Sequence, residues 1–169
     1  MIIHNCNLAS LNLAAFLKPD GTFDLEAYRH TIRLWTIVLD ITVFMASYPS
    51  RAIAERTAKL RQLGLGYATL GAVLMRMGLP YHSDQARAVA QGLTAILTGE
   101  AYATSADLAL NLGPFEYYAE NRDAMLRVIR NHHRAAHGQS DGYEGLSVLP
   151  RPLNTTLCPA VLAEAARNS

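Results

Sequence analysis

Cysteine is scarce in this 169-residue sequence: only Cys6 and Cys158 occur, at opposite ends of the chain. Two such distant thiols do not make the dense framework of a small secreted domain, so a disulfide scaffold is excluded and a reducing, cytoplasmic setting fits better. A surplus of charge is missing as well. Fifteen basic residues face fourteen acidic ones, for a net charge of +1, which removes the electrostatic footprint of a nucleic-acid-binding protein or of one held at an anionic membrane. Long apolar runs are also absent. The longest, Leu34 to Ala46, carries Asp40 in its middle and falls short of the roughly 20 residues that a membrane span requires. Met1 to Cys6 has no basic region followed by an apolar stretch, so no secretory leader is read there. Repeats, low-complexity tracts and linkers are lacking too, so residues 1–169 are expected to form one body rather than two cores. What is present is apolar: half of all residues, enough to bury a sizeable core and leave the chain soluble and ordered.

Helix dominates the pattern. Residues 2–17 alternate loosely and stop at Lys18-Pro19-Asp20-Gly21, which reads as a strand ended by a turn, with Cys6 near its start. Asp24 then caps a long helix, and Phe23 with Tyr28 completes a hydrophobic staple. Leu25, Tyr28, Ile32, Trp35, Leu39 and Val43 keep the helical period, and from Leu34 onward nearly every face is apolar, so burial on most sides is expected. Tyr48-Pro49 ends this helix and Ser50 caps the next, to about Gln62. Leu63 to Tyr67 suits a short buried strand, Ala68 to Met77 a helix, and Ser83 caps a helix reaching about Leu112. Gly113-Pro114 is a stop, Ala119 to Ala136 the last long helix, Gln139 to Thr156 an irregular excursion, and a short alanine-rich helix closes the chain. Two strands alone make no stable sheet, so both are expected to take partner strands from elsewhere in a larger chain. The helix-like ending at Asn168-Ser169 is read the same way.

Several clusters invite chemistry. Gly64-Leu65-Gly66-Tyr67-Ala68-Thr69 resembles the start of a dinucleotide-binding fingerprint, but Thr69 stands where the third glycine belongs and Asp84 opens a helix instead of ending a second strand. A close-packed turn explains these glycines instead. His82, Ser83 and Asp84 hint at a polar cluster without a defined role. His133 and His137 could share a helix face with His132 beside them, yet no third ligand or carboxylate accompanies them, so no metal site is assigned. Arg127, Arg130 and Arg134 near the same helix end complement its dipole and read as a solvated or interdomain face rather than a phosphate site. Cys158, in Leu157-Cys158-Pro159 after the irregular segment, reads as a structural thiol.

The octet Cys6-Asn7-Leu8-Ala9-Ser10-Leu11-Asn12-Leu13 resembles the segment of ribonucleotide reductases in which one cysteine of a redox-active pair stands on a barrel strand. Ile32 to Leu39, Leu63 to Ala68, Gly78 to Tyr81, Leu93 to Ile96, Gly99 to Ala106 and Met125 to His132 are similar to the adenosylcobalamin-dependent (class II) enzymes. The likeness runs nearly end to end and covers an internal slice of that family's longer chain. It implies a mainly α segment, with one or two short strands, of a ten-stranded α/β barrel; residues 1–169 are then part of a catalytic barrel domain. In that family a thiyl radical abstracts the ribose 3′ hydrogen, the 2′ hydroxyl leaves as water, and two cysteines supply the two electrons and close into a disulfide that external dithiols reopen. Cys6 matches one of that pair. Taken without the octet, a free cysteine is more often a buried structural thiol.

The resemblance further implies adenosylcobalamin as radical source, a ribonucleotide substrate, a thioredoxin-like reductant and the remainder of the catalytic chain as partners, with a homodimer left open. No residue carries a corrin signature. The radical cysteine's Asn-Pro-Cys-Gly-Glu-like motif, the partner cysteine and the Pro-Thr-Gly-Thr-like phosphate loop do not occur between Met1 and Ser169, so this chain alone is expected to be inactive. Glu116 and Tyr117 depart from the family's Gly-Pro-Phe-Pro-Gly-Tyr pattern, His82 stands where aspartate is usual, and Thr69 where asparagine is common. The rival readings are a freestanding helical interaction module without catalytic activity, and a protein working through Cys6 alone, which would demand a depressed thiol pKa.

Overall fold

In the computed structural model, which describes residues 5–168, strand β1 (Asn7–Asn12) pairs in parallel with β2 (Leu63–Ala68), in register from Asn7 opposite Leu63 to Asn12 opposite Ala68. Parallel neighbours need a crossover, and here it consists of helices α1 (Leu25–Met45) and α2 (Arg51–Leu60). Then follow α3 (Leu70–Arg76), α4 (Asp84–Leu112), α5 (Tyr118–Ala136) and α6 (Ala160–Arg167). The described chain is therefore mainly helical with two short strands, as expected.

One strand expectation is corrected. The first strand ends at Asn12, because the Asn12 side chain accepts the Ala14 N–H at 3.1 Å and turns the chain into a 3-10 turn, Leu13–Phe16. The Met1 to His4 part of that expectation lies outside the described residues. The two strands pair with each other, a partnership the sequence pattern did not indicate. Helices cover one face of the pair: Leu11 is buried, Leu65 and Tyr67 pack on the core, and the Tyr67 hydroxyl is 2.8 Å from that of Thr94 on α4. Each strand keeps one edge without a strand neighbour among the described residues.

The helix starts follow their caps. Asp24 accepts from Ala27 N at 3.1 Å, Ser50 from Ile53 N at 3.3 Å and Ser83 from Ala86 N at 3.1 Å. The staple forms as well, with the Phe23 and Tyr28 rings 5.5 Å apart and edge-on. Tyr28 and Ile32 of α1 meet Leu93 and Ile96 of α4 in the centre of the core, and full burial of each such side chain contributes about 2 kcal/mol. The Tyr28 hydroxyl donates to the Leu93 carbonyl at 3.2 Å, and burial pushes its phenol pKa well up.

The second half of α1 departs from expectation. Leu34, Trp35, Ile41, Phe44 and Met45 are exposed, Phe44 by 62% and Met45 by 77%. The apolar pattern is all-round, but α2, α4 and the sheet cover only the flank of Ile32, Thr36, Leu39 and Val43. No helix among the described residues is long and apolar enough to cross a membrane.

Candidate functional site

Period two sends successive side chains of β1 to opposite faces. Asn7, Ala9 and Leu11 face the helices. Cys6, immediately before the strand, shares the other face with Leu8 and Ser10, and Leu8 there is 77% exposed. Cys6 is half-buried and its thiol is free. Among the described residues its Sγ makes one weak hydrogen bond, to the Asn7 carbonyl at 3.8 Å. Gly64 on β2 makes room for it: a β-carbon at Gly64 would lie 3.4 Å from Sγ and overlap Leu8 Cδ2. The glycines of the Gly64-Leu65-Gly66 segment are thus strand residues that permit close approach, not residues of a turn. Cys6 also borders a cleft of about 830 Å3 that includes Asp40, Arg61, Leu65, Tyr102 and Met125.

The residues flanking Cys6 are both tied to helices. Asn5 N–H donates to the Thr57 hydroxyl of α2 at 3.0 Å, and the Asn7 side-chain amide donates to the Thr42 hydroxyl of α1 at 2.8 Å. Nearby, Arg61 clasps Asp40 through two hydrogen bonds, Nε to Oδ1 at 3.0 Å and Nη2 to Oδ2. The sequence reading missed all four partners. Asp40 alone left a signal, as a carboxylate in an apolar run that calls for a counter-charge; the threonines left none, since they look like ordinary helix residues.

The other candidates fall elsewhere. Cys158 is buried against Gly92, where an added β-carbon would lie 2.9 Å from its Sγ, and burial pushes its thiol up to about 11. Cys6 and Cys158 are not bonded to each other. The imidazoles of His133 and His137 stack with centroids 4.0 Å apart, His137 Nδ1 lies 2.9 Å from the His133 carbonyl, and His132 borders both the cleft near Cys6 and a second one of about 700 Å3 between α4 and α5. No group of three metal-ligating side chains occurs among the described residues. His82 contributes its carbonyl to Arg87 at 2.7 Å, while Asp84 pairs with that same arginine at 2.5 Å.

The arginine row on α5 is not simply solvated. Arg130 and Arg134 both bind Glu144, at 2.7–2.9 Å, and Arg127 packs against Gly145, so the segment after α5 folds back onto it. Hydrogen bonds from Arg130 and then Arg134 hold the Glu144 carboxyl down at about 2. The two departures at 116 and 117 have a shared explanation: Lys59 at the end of α2 pairs with Glu116 at 3.0 Å and lies 5.7 Å from the centre of the Tyr117 ring.

Comparison with known proteins covers almost the whole chain. The family model described as ribonucleotide reductase, barrel domain, matches residues 2–154. A vitamin B12-dependent ribonucleotide reductase of Agrobacterium fabrum is 61% identical over 146 residues, 86% of this chain and 12% of that protein. Its counterpart in Bradyrhizobium diazoefficiens is 57% identical over 155 residues, covering 91% of this chain and 12% of the relative. The Rhodopirellula baltica protein of the same description is 46% identical over 162 residues, 96% and 14% of the two chains. The chain thus spans about an eighth of the length of these relatives.

Proposed function

Because the chain belongs to the ribonucleotide reductase family by its barrel-domain match, we propose that it is part of the catalytic barrel of an adenosylcobalamin-dependent enzyme that converts ribonucleotides to deoxyribonucleotides. Three relatives described as vitamin B12-dependent, at 46–61% identity, support the cofactor. When bound, adenosylcobalamin supplies the radical that starts the reaction. No side-chain set of this chain is assigned to hold it.

This chain's own contribution is Cys6, one member of the redox pair. The observation that carries the reading is its placement: a free, half-buried thiol heading a parallel strand, on the sheet face that the chain's helices leave open. Replacing the ribose 2′ hydroxyl by hydrogen, with loss of water, requires two electrons and two protons. Cys6 and a second cysteine outside this chain provide them as thiols and become a disulfide, which a thioredoxin-like dithiol reduces again. Among the described residues Sγ has no strong hydrogen-bond partner, which leaves the sulfur available to substrate and to its partner cysteine. In the complete enzyme, Cys6→Ser is expected to abolish turnover with a dithiol reductant while cobalamin binding persists; turnover at the parental rate would refute the assignment.

A further inference from the structure

We propose that Thr42 and Thr57 are positioning residues for the Cys6 thiol; this rests on the redox role proposed above and deepens it. Neither hydroxyl touches the sulfur. Each instead fixes a neighbour of Cys6 in sequence: Thr57 accepts the Asn5 main-chain N–H at 3.0 Å from α2, and Thr42 accepts the Asn7 side-chain amide at 2.8 Å from α1. Thr57 is 1% exposed, so water does not compete for its bond. Thr42 spends its only proton on the Leu39 carbonyl at 2.8 Å, so toward Asn7 it acts only as an acceptor, and that sets which end of the Asn7 amide faces it.

The arrangement answers a physical need. Cys6 precedes the first laddered residue of β1, Asn7 opposite Leu63, and the start of an edge strand frays unless it is tied down. Two bonds to two different helices remove that freedom, while Gly64 leaves a seat for Sγ without bonding it. The thiol is thereby held in place by its backbone and stays chemically unencumbered. Attack geometry in such exchange is steep, a misplacement of about 1 Å costing on the order of a hundredfold in rate.

The test uses the complete enzyme with Thr42→Val and Thr57→Val, which keep shape and lose the acceptor, and with the serine variants, which keep the hydroxyl. The valine variants are expected to lower kcat about tenfold or more with KM unchanged, and to alter the alkylation rate of Cys6 mapped by peptide mass spectrometry. The serine variants restore both. Parental kcat and alkylation in the valine variants, or serine variants as impaired as valine, would overturn the proposal. Should Thr57→Val fail to fold, Asn7→Ala breaks the other tie outside the core and must show the same kcat loss; parental kcat there counts against it equally. Turnover surviving in Cys6→Ser would instead sink the redox role itself, so the two failures are distinguishable.

Discussion

Arg61 reaches Asp40 from a left-handed backbone, φ 47°, at the C-cap of α2, and its guanidinium lies 4.8 Å from the centre of the Phe44 ring. A non-glycine residue in this conformation is uncommon and strained. It persists here because Asp40, mostly buried on α1, takes both guanidinium bonds. The pair therefore fixes where α2 ends, two residues before β2 begins beside β1. Local strain is exchanged for the exact placement of a strand start.

Arg61→Ala is expected to destabilise the fold by about 3 kcal/mol, since it leaves a largely buried carboxylate without its partner. Arg61→Gly loses the same bond but relieves the left-handed strain, so it should be milder by about 1 kcal/mol. Denaturant unfolding of both variants checks this, and equal losses would show that backbone strain plays no part.

Thr69 is the second strained position, with φ 66° at the junction of β2 and α3. Its hydroxyl shares one proton between Asn12 Oδ1 at 2.7 Å and the Ala68 carbonyl at 2.6 Å and accepts Ala14 N–H at 3.1 Å, tying the two strand ends together. Asparagine tolerates this conformation better than a β-branched residue and keeps a donor and an acceptor. Thr69→Asn is accordingly expected to stabilise by about 1 kcal/mol, a rise in Tm of roughly 2–4 °C. A fall in Tm would mean that the threonine hydroxyl geometry outweighs the strain.

Glu144 gives the fold-back after α5 a pH dependence. Its carboxyl pKa is held at about 2 in the fold, below the ordinary 4.5, by hydrogen bonds from Arg130 and Arg134. A depressed folded-state value stabilises above the unfolded pKa, so the contribution is complete above about pH 4.5 and is lost as pH falls through about 2. NMR titration of the Glu144 carboxyl should show its midpoint near 2 in the parent and higher in Arg130→Gln. A parental midpoint near 4.5 would contradict the paired geometry.

Much of this architecture was legible in local chemistry. Asp24, Ser50 and Ser83 announced helix starts because a side-chain acceptor at the N-cap is a local signal; the second strand at Leu63 and the terminal alanine-rich helix were equally readable. Cys6 stood out through its octet. What escaped was set by distance in sequence. The pairing of β1 with β2 joins residues 56 positions apart, as Asn7 with Leu63, and the hydroxyls of Thr42 and Thr57 become meaningful only once the crossover brings α1 and α2 to either side of Cys6. The end of the first strand was missed for a subtler reason: Asn12 continues the alternation while its side chain turns the backbone away. The apolar period of α1 indicated which residues avoid water, but not what would cover them.

That uncovered flank governs how the polypeptide behaves at the bench. Ile41, Phe44 and Met45 form a greasy ridge, and such ridges seek one another in concentrated solution. Mild detergent or low concentration is the handling condition that follows, and turbidity on concentrating the isolated chain would report the ridge rather than a faulty fold.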